Sequence, residues 1–206
     1  MIVPQEYYLN SDVCFLAKDL LGKLLISNID NQFCSGIIVE TEAYRGPDDI
    51  ASHSFANRRT LKNNTMYLKG GCSYVYICYG IHHLFNVITA HENVAHAVLI
   101  RAIEPVAGID FMIQRRPEKT LYNNLTKGPG SLSQALGINK NFDSVELWNK
   151  NSPIQIHNLN TKYASTEIAS SLRIGVESAG ESALWPWRYF VKSSPYVSAH
   201  KKIFIP

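Results

Sequence analysis

The sequence predicts an α+β fold, one domain over residues 1–206 with a mainly antiparallel sheet. Three observations carry this expectation. Strand-like segments come in pairs joined by short polar turns, so successive strands run antiparallel. Helical segments stand between groups of strands, and no regular βαβ alternation is seen. Hydrophobic residues make up 46% of the 206 residues and charged ones 18%, a balance that fills a core, and no stretch has the composition of a linker.

The elements follow in order. Residues 11–21 (SDVCFLAKDLL) read as a helix, with Ser11 or Asp12 able to cap it and Gly22 suited to the left-handed position after its end. Residues 23–29 and 33–44 read as strands around an Asp30-Asn31 turn. Residues 45–65 lack periodicity and read as a long loop with one helical turn, a kind of segment that often carries function. SYVYICY (73–79) and LFNVITA (84–90) read as strands flanking Gly80-Ile81-His82-His83, and HAVLIRAI (96–103) follows a turn at Glu92-Asn93. Glu104-Pro105 reads as the start of a helix, since proline is tolerated in a first turn. A further helix spans 129–136, between Pro129 and Gly137. ELW (146–148), IQIHN (154–158), SLRIGV (171–176) and RYFVK (188–192) read as short edge strands.

Several functional classes are set aside. There is no repeat at solenoid spacing and no apolar run long enough to cross a bilayer. Met1-Ile2-Val3-Pro4-Gln5-Glu6 has no basic stretch before an apolar one, so an intracellular protein without a secretory signal is expected. Cys14, Cys34, Cys72 and Cys78 form no CxxC pair and read as small buried hydrophobes. His91 and His96 are five apart, where a helical zinc motif needs four. Gly128-Pro129-Gly130 lacks the third glycine of a dinucleotide loop, and neither a GxSxG elbow nor a phosphate-binding loop is present. The net charge of +3 is modest, but Arg58, Arg59 and Lys62 cluster, as do Arg115, Arg116 and Lys119. Such clusters fit a solvated surface and also fit phosphate contacts.

The chemistry concentrates in the strands. Side chains alternate along GIIVETEAY, so Glu40, Glu42 and Tyr44 share a face; alone, that row also fits a water-facing edge. Tyr74 and Tyr76 share a face of their strand, and Tyr79 stands at its end beside Gly80. Aromatic faces suit stacking on a base, and an aromatic at a hairpin tip suits wedging into a base stack. Asn86 and Arg101 interrupt apolar strands, and Leu99 shares a face with Arg101. Buried polar groups are costly unless paired, so these point to a polar site in a concave sheet that His53, in the long loop, could cover.

At VETEAYRGPDDIASHS, YVYICYGIHHLFNV, VLIRAIEP, GPGSLSQALGI and RIGVESAGE the chain resembles the alkyladenine (3-methyladenine-type) DNA glycosylase family, five blocks in family order over roughly residues 4–200. It departs from the family at Lys69-Gly70-Gly71, Leu84 and Phe55-Ala56-Asn57. The resemblance implies a curved, partly barrel-like sheet flanked by helices, distinct from helix-hairpin-helix glycosylases. It implies Glu42 as general base, with Arg101 and the backbone carbonyl of Ile174 holding the attacking water. Tyr44, His53 and Tyr76 would enclose the flipped base and Tyr79 would fill the gap left in the duplex. Asn86 would collide with the amino group of guanine. Met66, Tyr74 and Leu99 would be supporting wall or DNA-surface positions, and the basic cluster adds Arg58 and Lys62 as further wall or DNA contacts.

The expected activity is excision of alkylated or deaminated purines (3-methyladenine, 7-methylguanine, hypoxanthine or ethenoadenine) from double-stranded DNA, by a monomer without metal or organic cofactor. No lysine stands at the base's position, so hydrolysis is expected without a Schiff base. A non-catalytic damage-binding protein and a hydrolase of free purine nucleosides are the competing readings.

Overall fold

Asp30 and Asn31 both adopt positive φ, 54° and 60°, as a two-residue turn of the kind that matches strand twist requires. They join β1 (Leu24–Ile29) to β2 (Gln32–Arg45) with Ile29 opposite Gln32. The computed structural model describes residues 1–118, 120–159, 162–198 and 203–204. After β2 come β3 (Ser73–Cys78), β4 (His82–Thr89), β5 (His96–Ala107), β6 (Ile154–His157), β7 (Ile168–Ser171), β8 (Arg188–Val191) and β9 (Ile203–Phe204). The helices are α1 (Val13–Asp19), α2 (Ile109–Gln114) and α3 (Pro129–Leu136).

β2 is the axis. The described strands form one antiparallel sheet in the order β3-β4-β5-β2-β8-β7-β9. On one flank β2 pairs with β5. On the other it pairs first with β1, over residues 32–37, then with β8, over 40–42, and β6 adds to β1. The sheet is open: β3 and β9 are its outer strands, and no pairing joins them among the described residues. The edge of β3 is covered by the segment around residues 140–145. Val75 donates its N–H to Asp143 Oδ1 at 3.0 Å, and its carbonyl accepts from Lys140 Nζ at 2.9 Å.

Strand alternation gives the sheet two unlike faces. One carries Ile38, Ala43, Val75, Phe85, Val87, Val98 and Ile100, all fully buried, in a core shared with α1 (Val13, Leu16, Ala17) and α3 (Leu132, Ala135, Leu136). Each such large apolar side chain contributes about 1.5–3 kcal/mol. Thr41 ties β2 to α1 by donating its hydroxyl to the Ala17 carbonyl at 2.7 Å. The opposite face has a smaller apolar cluster, Met66, Tyr67, Tyr74, Ile88, Ala95 and Ala97, and holds the polar groups described below.

Most elements stand where the sequence placed them, with instructive exceptions. Asp12, not Ser11, caps α1 by accepting the Phe15 N–H at 2.9 Å. Residues 45–65 contain two short helical turns, Phe55–Asn57 and Asn64–Tyr67, rather than one. Glu104-Pro105 does not open a helix: β5 runs on to Ala107, and α2 begins only after Gly108. Pro105 lies opposite Gly36, beside a register shift, so its missing N–H falls where the ladder is already irregular. Glu146-Leu147-Trp148 makes a single bridge, Cys72 to Glu146, and is not a strand. The strand expected at 171–176 is displaced upstream to β7. All four cysteines are free, Cys34 and Cys72 buried and the others half-buried.

His96, at the start of β5, is buried and joined through Nε2 to the Gly46 carbonyl at 3.0 Å. A carbonyl only accepts, so Nε2 carries the proton and Nδ1 is bare, with no partner among the described residues. Burial first, and Arg45 second, push the His96 pKa down to about 4. An unfolded histidine takes up its proton near pH ~6.5. Protons therefore favour the unfolded chain as pH falls from about 6.5 to 4, with the contribution complete above that window. Denaturant melts across it should show a loss approaching ~3 kcal/mol that is smaller in His96→Gln. An equal acid loss in that variant would refute the assignment.

Candidate active site

Residues directly opposite one another in an antiparallel sheet share a face. The register aligns Tyr74 (β3) with Asn86 (β4), Asn86 with Leu99 (β5), Leu99 with Glu42 (β2), and Glu42 with Arg188 (β8). Five strands thus set one row across the less apolar face. Arg101 is aimed into it by paired irregularities. Glu40 lies opposite Ala102 and Thr41 opposite Ile100, so Val39 on β2 and Arg101 on β5 are left without opposite partners. Bulges of this kind re-aim side chains, and here Arg101 meets both acidic residues of β2.

Glu42 is fully buried and has two hydrogen-bond donors and one ion-pair partner. Ile174 N–H reaches Oε1 at 2.8 Å, the Tyr44 hydroxyl reaches Oε2 at 2.8 Å, and a terminal nitrogen of Arg101 lies 3.1 Å from Oε2. Arg101 Nε also binds Glu40 Oε1 at 2.9 Å, and Arg188 Nε binds the same oxygen at 2.7 Å. The Ser198 N–H donates to Glu40 Oε2 at 2.7 Å. Burial alone pushes the Glu40 carboxyl up; Arg101, Arg188 and the Ser198 N–H outweigh it and hold it below the usual carboxylate range. Burial likewise works to lower the Arg101 pKa, but Glu42 and Glu40 raise it above its ordinary value, so the guanidinium stays charged.

Beside this network lies a pocket lined by Tyr44, His53, Met66, Tyr74, Tyr76 and Asn86. Its free volume is 30 Å³, room for about one water. His53 fills the mouth: its ring lies 4.6 Å from that of Tyr76, edge to face, and Nδ1 is 2.8 Å from the Tyr74 hydroxyl. Burial lowers the His53 pKa, which favours the neutral ring. Asn86 is held by its own amide, which donates to the carbonyls of Tyr74 at 3.0 Å and Leu84 at 3.3 Å. The pocket opens into a groove of 990 Å³ whose walls include Arg58, Lys62, Tyr79 and Lys140. Tyr79 is 87% exposed at the tip of the β3–β4 hairpin, where it and Gly80 take positive φ, 51° and 74°, and Ile77 and Ile81 flank it as exposed apolar neighbours.

The structure therefore brings together Glu42, Arg101, Ile174 and Tyr44, and next to them His53, Tyr76, Asn86, Met66 and Tyr74. Leu99 is buried in the row between Asn86 and Glu42, and does not line the pocket. Ile174 meets Glu42 by its N–H, which places its backbone beside the carboxylate. The row of Glu40, Glu42 and Tyr44 does not face water, since both carboxylates are fully buried. Arg58 and Lys62 are exposed on the groove. Arg115 and Arg116 are tied to Gln32 and Gln134, and Lys119 lies outside the described residues.

Sequence reasoning missed a second buried pair. Arg173 binds both oxygens of Asp49, at 2.5 and 2.8 Å, and donates to the carbonyls of Ala43 and Ser182. Its guanidinium lies over the Tyr44 ring at 4.7 Å. It clamps the loop bearing His53, the strand bearing Tyr44 and the segment bearing Ile174. The signal was Asp49 inside the long loop and Arg173 inside an apolar segment, but no spacing links residues 124 positions apart.

Comparison with known proteins says which chemistry this arrangement belongs to. A protein of Chlamydia felis provisionally named a 3-methyladenine DNA glycosylase is 47% identical over 191 residues, 92% of this chain and 96% of its own length. A relative of the same name in Chlamydia abortus is 45% identical, covering 92% of this chain and 98% of its own. Another, in Bacillus cereus, is 41% identical over 96% and 99% of the two chains. The class is then defined: this is a DNA glycosylase, a hydrolase of N-glycosyl bonds. The sequence profile of the methylpurine-DNA glycosylase family matches residues 7–195, and the chain belongs to that family.

Removing one partner of a buried ion pair typically costs about 3–5 kcal/mol, because the other charge is left uncompensated. Asp49→Ala should lose stability of that order in urea melts, and Asp49→Ala with Arg173→Met should recover much of it. A double variant no more stable than Asp49→Ala would show that the charge left behind is not the cost.

Proposed function

We propose that the chain is a monofunctional DNA glycosylase that extrudes alkylated or deaminated purines from duplex DNA and hydrolyses their bond to the sugar with a water activated by Glu42. Lesions of the 3-methyladenine, 7-methylguanine, hypoxanthine and ethenoadenine type are its substrates. The observation that supports this best is the set of donors on Glu42. A carboxylate offers about four acceptor positions; the Ile174 N–H and the Tyr44 hydroxyl occupy two, and Arg101 pairs with the charge. The acceptor capacity left over is what an attacking water would use, at the end of the row beside the aromatic pocket.

A base inside a duplex is out of reach, and extruding it costs a few kcal/mol, least for damaged or mispaired bases. Tyr79 offsets that cost by occupying the vacated space from a tip whose backbone is fixed by its turn. Arg58 and Lys62 line the groove that leads to the pocket and meet phosphates. The base displaces His53 from Tyr76 and stacks on the aromatic rings, worth about 1–3 kcal/mol per contact. The water then gives a proton to Glu42 while its oxygen bonds to C1′, and the electron pair of the C1′–N bond leaves with the base. The negative charge of Glu42 also stabilises the cationic sugar. Cationic alkylated bases leave as neutral molecules; hypoxanthine and ethenoadenine leave after taking a proton from solvent. Arg101 and the Ile174 N–H hold the carboxylate still. No lysine contacts Glu42 among the described residues, so the product is an intact abasic strand.

Asn86 sets what is refused. Its amide is pinned at two carbonyls and cannot step aside for the 2-amino group of guanine.

The deciding assay uses a duplex carrying one hypoxanthine, without added metal, followed by hot alkali. Wild type should yield strand cleavage only after alkali, and Glu42→Gln should release base at least ~10²-fold more slowly. Lesion binding without release, here and on an alkylated duplex, would make the chain a damage-binding protein. Duplex binding that ignores salt would favour a nucleoside hydrolase. Asn86→Ser should release undamaged guanine faster than wild type does; an unchanged rate would remove Asn86 from the selectivity account.

A further inference from the structure

Glu40 is fully buried two residues before Glu42, and the chemistry above does not use it. Its surroundings are costly to build. Two carboxylates and two guanidiniums lie together in the sheet, and paired bulges at Val39 and Arg101 bring them into contact. For stability alone, well-packed apolar residues of similar volume do as well or better than a buried ion network. The arrangement is also asymmetric. Arg101 is divided between Glu40, through Nε at 2.9 Å, and Glu42, through a terminal nitrogen at 3.1 Å. Arg188, opposite Glu42 in register, puts its Nε on Glu40 at 2.7 Å. The four charges cancel, and Glu42 shares Arg101 with a second anion.

We propose that Glu40 is a positioning residue of the reaction: by drawing on Arg101 it keeps Glu42 basic enough to activate water, with Arg188 balancing Glu40 from the far side. The proposal rests on Glu42 being the general base. Without the charge of Glu40, both guanidiniums would act on Glu42 alone, which would hold a proton less readily. Without Arg188, the uncompensated Glu40 would make Glu42 hold it more readily. The other groups facing Glu42 stay constant in such variants: the Tyr44 hydroxyl on its own strand, Tyr76 from β3, the Ile174 N–H, and Arg173, which Asp49 neutralises.

The test is single-turnover release of hypoxanthine from a duplex across pH, with lesion binding measured alongside, for wild type, Glu40→Gln, Arg188→Met, the double variant and Glu42→Gln. Glu40→Gln should bind the lesion duplex normally, release base about tenfold more slowly at neutral pH, and shift the acid limb of its profile down by about one pH unit. Arg188→Met should shift that limb up, and the double variant should return it towards wild type. Loss of packing alone cannot move two limbs in opposite directions and restore both. A stationary limb in Glu40→Gln, shifts of the same sign, or a double variant that stays displaced would overturn the proposal. If Glu40→Gln does not fold, the upward shift in Arg188→Met and its reversal in the double variant decide the matter. Undiminished release by Glu42→Gln would instead sink the assignment of the base itself.

Discussion

Putting ionised groups inside a sheet is among the most expensive things a fold can do, and this protein does it twice over at one place. Glu40, Glu42, Arg101 and Arg188 are all buried, and each is tolerated only because the others neutralise it and complete its hydrogen bonds. Much of the surrounding geometry can be understood from that constraint. β2 must be long enough to pair with β1 first and β8 later, because β8 supplies Arg188. β5 must break register at Arg101. Ser198 must come back to the sheet to satisfy the last oxygen of Glu40.

The sheet divides its labour by face. The face towards α1 and α3 is apolar and supplies stability. The other gives up part of its burial to charged, aromatic and amide groups whose positions the register dictates. A slip of one residue would exchange the two sets, so the pleat that keeps Val75, Phe85 and Val98 inside also keeps Tyr74, Asn86 and Leu99 on the other side. Fold and site are specified by the same alternation. The Asp49–Arg173 clamp then fixes what alternation cannot reach, the loop carrying His53 and the segment carrying Ile174.

Much of this was legible in the sequence because period-two patterning is a local signal. The hairpins around Asp30-Asn31 and Gly80, and the shared face of Tyr74 and Tyr76, needed only nearest neighbours. The class of protein needed more: five ordered sequence blocks, an inference from resemblance. What was not legible is long-range or irregular. Pro105 looked like a helix start because its tolerance in β5 depends on a register shift opposite Gly36. The strand expected at 171–176 was displaced because Arg173 and Ile174 serve contacts to Asp49 and Glu42 rather than a ladder. Glu40 was visible as a neighbour of Glu42, but its partner Arg188 lies 148 residues away, and bulges leave no simple mark in composition.

An open sheet that meets a long flexible polymer has a hazard of its own. The strand carrying Tyr74 and Tyr76 is an outer one, and unpaired backbone on an outer strand invites another chain to add itself there. Asp143 and Lys140 hold the Val75 N–H and carbonyl, so a second polypeptide finds neither free to zip onto. The aromatic strand can thus stay at the margin, accessible to nucleic acid, while remaining a poor template for self-association.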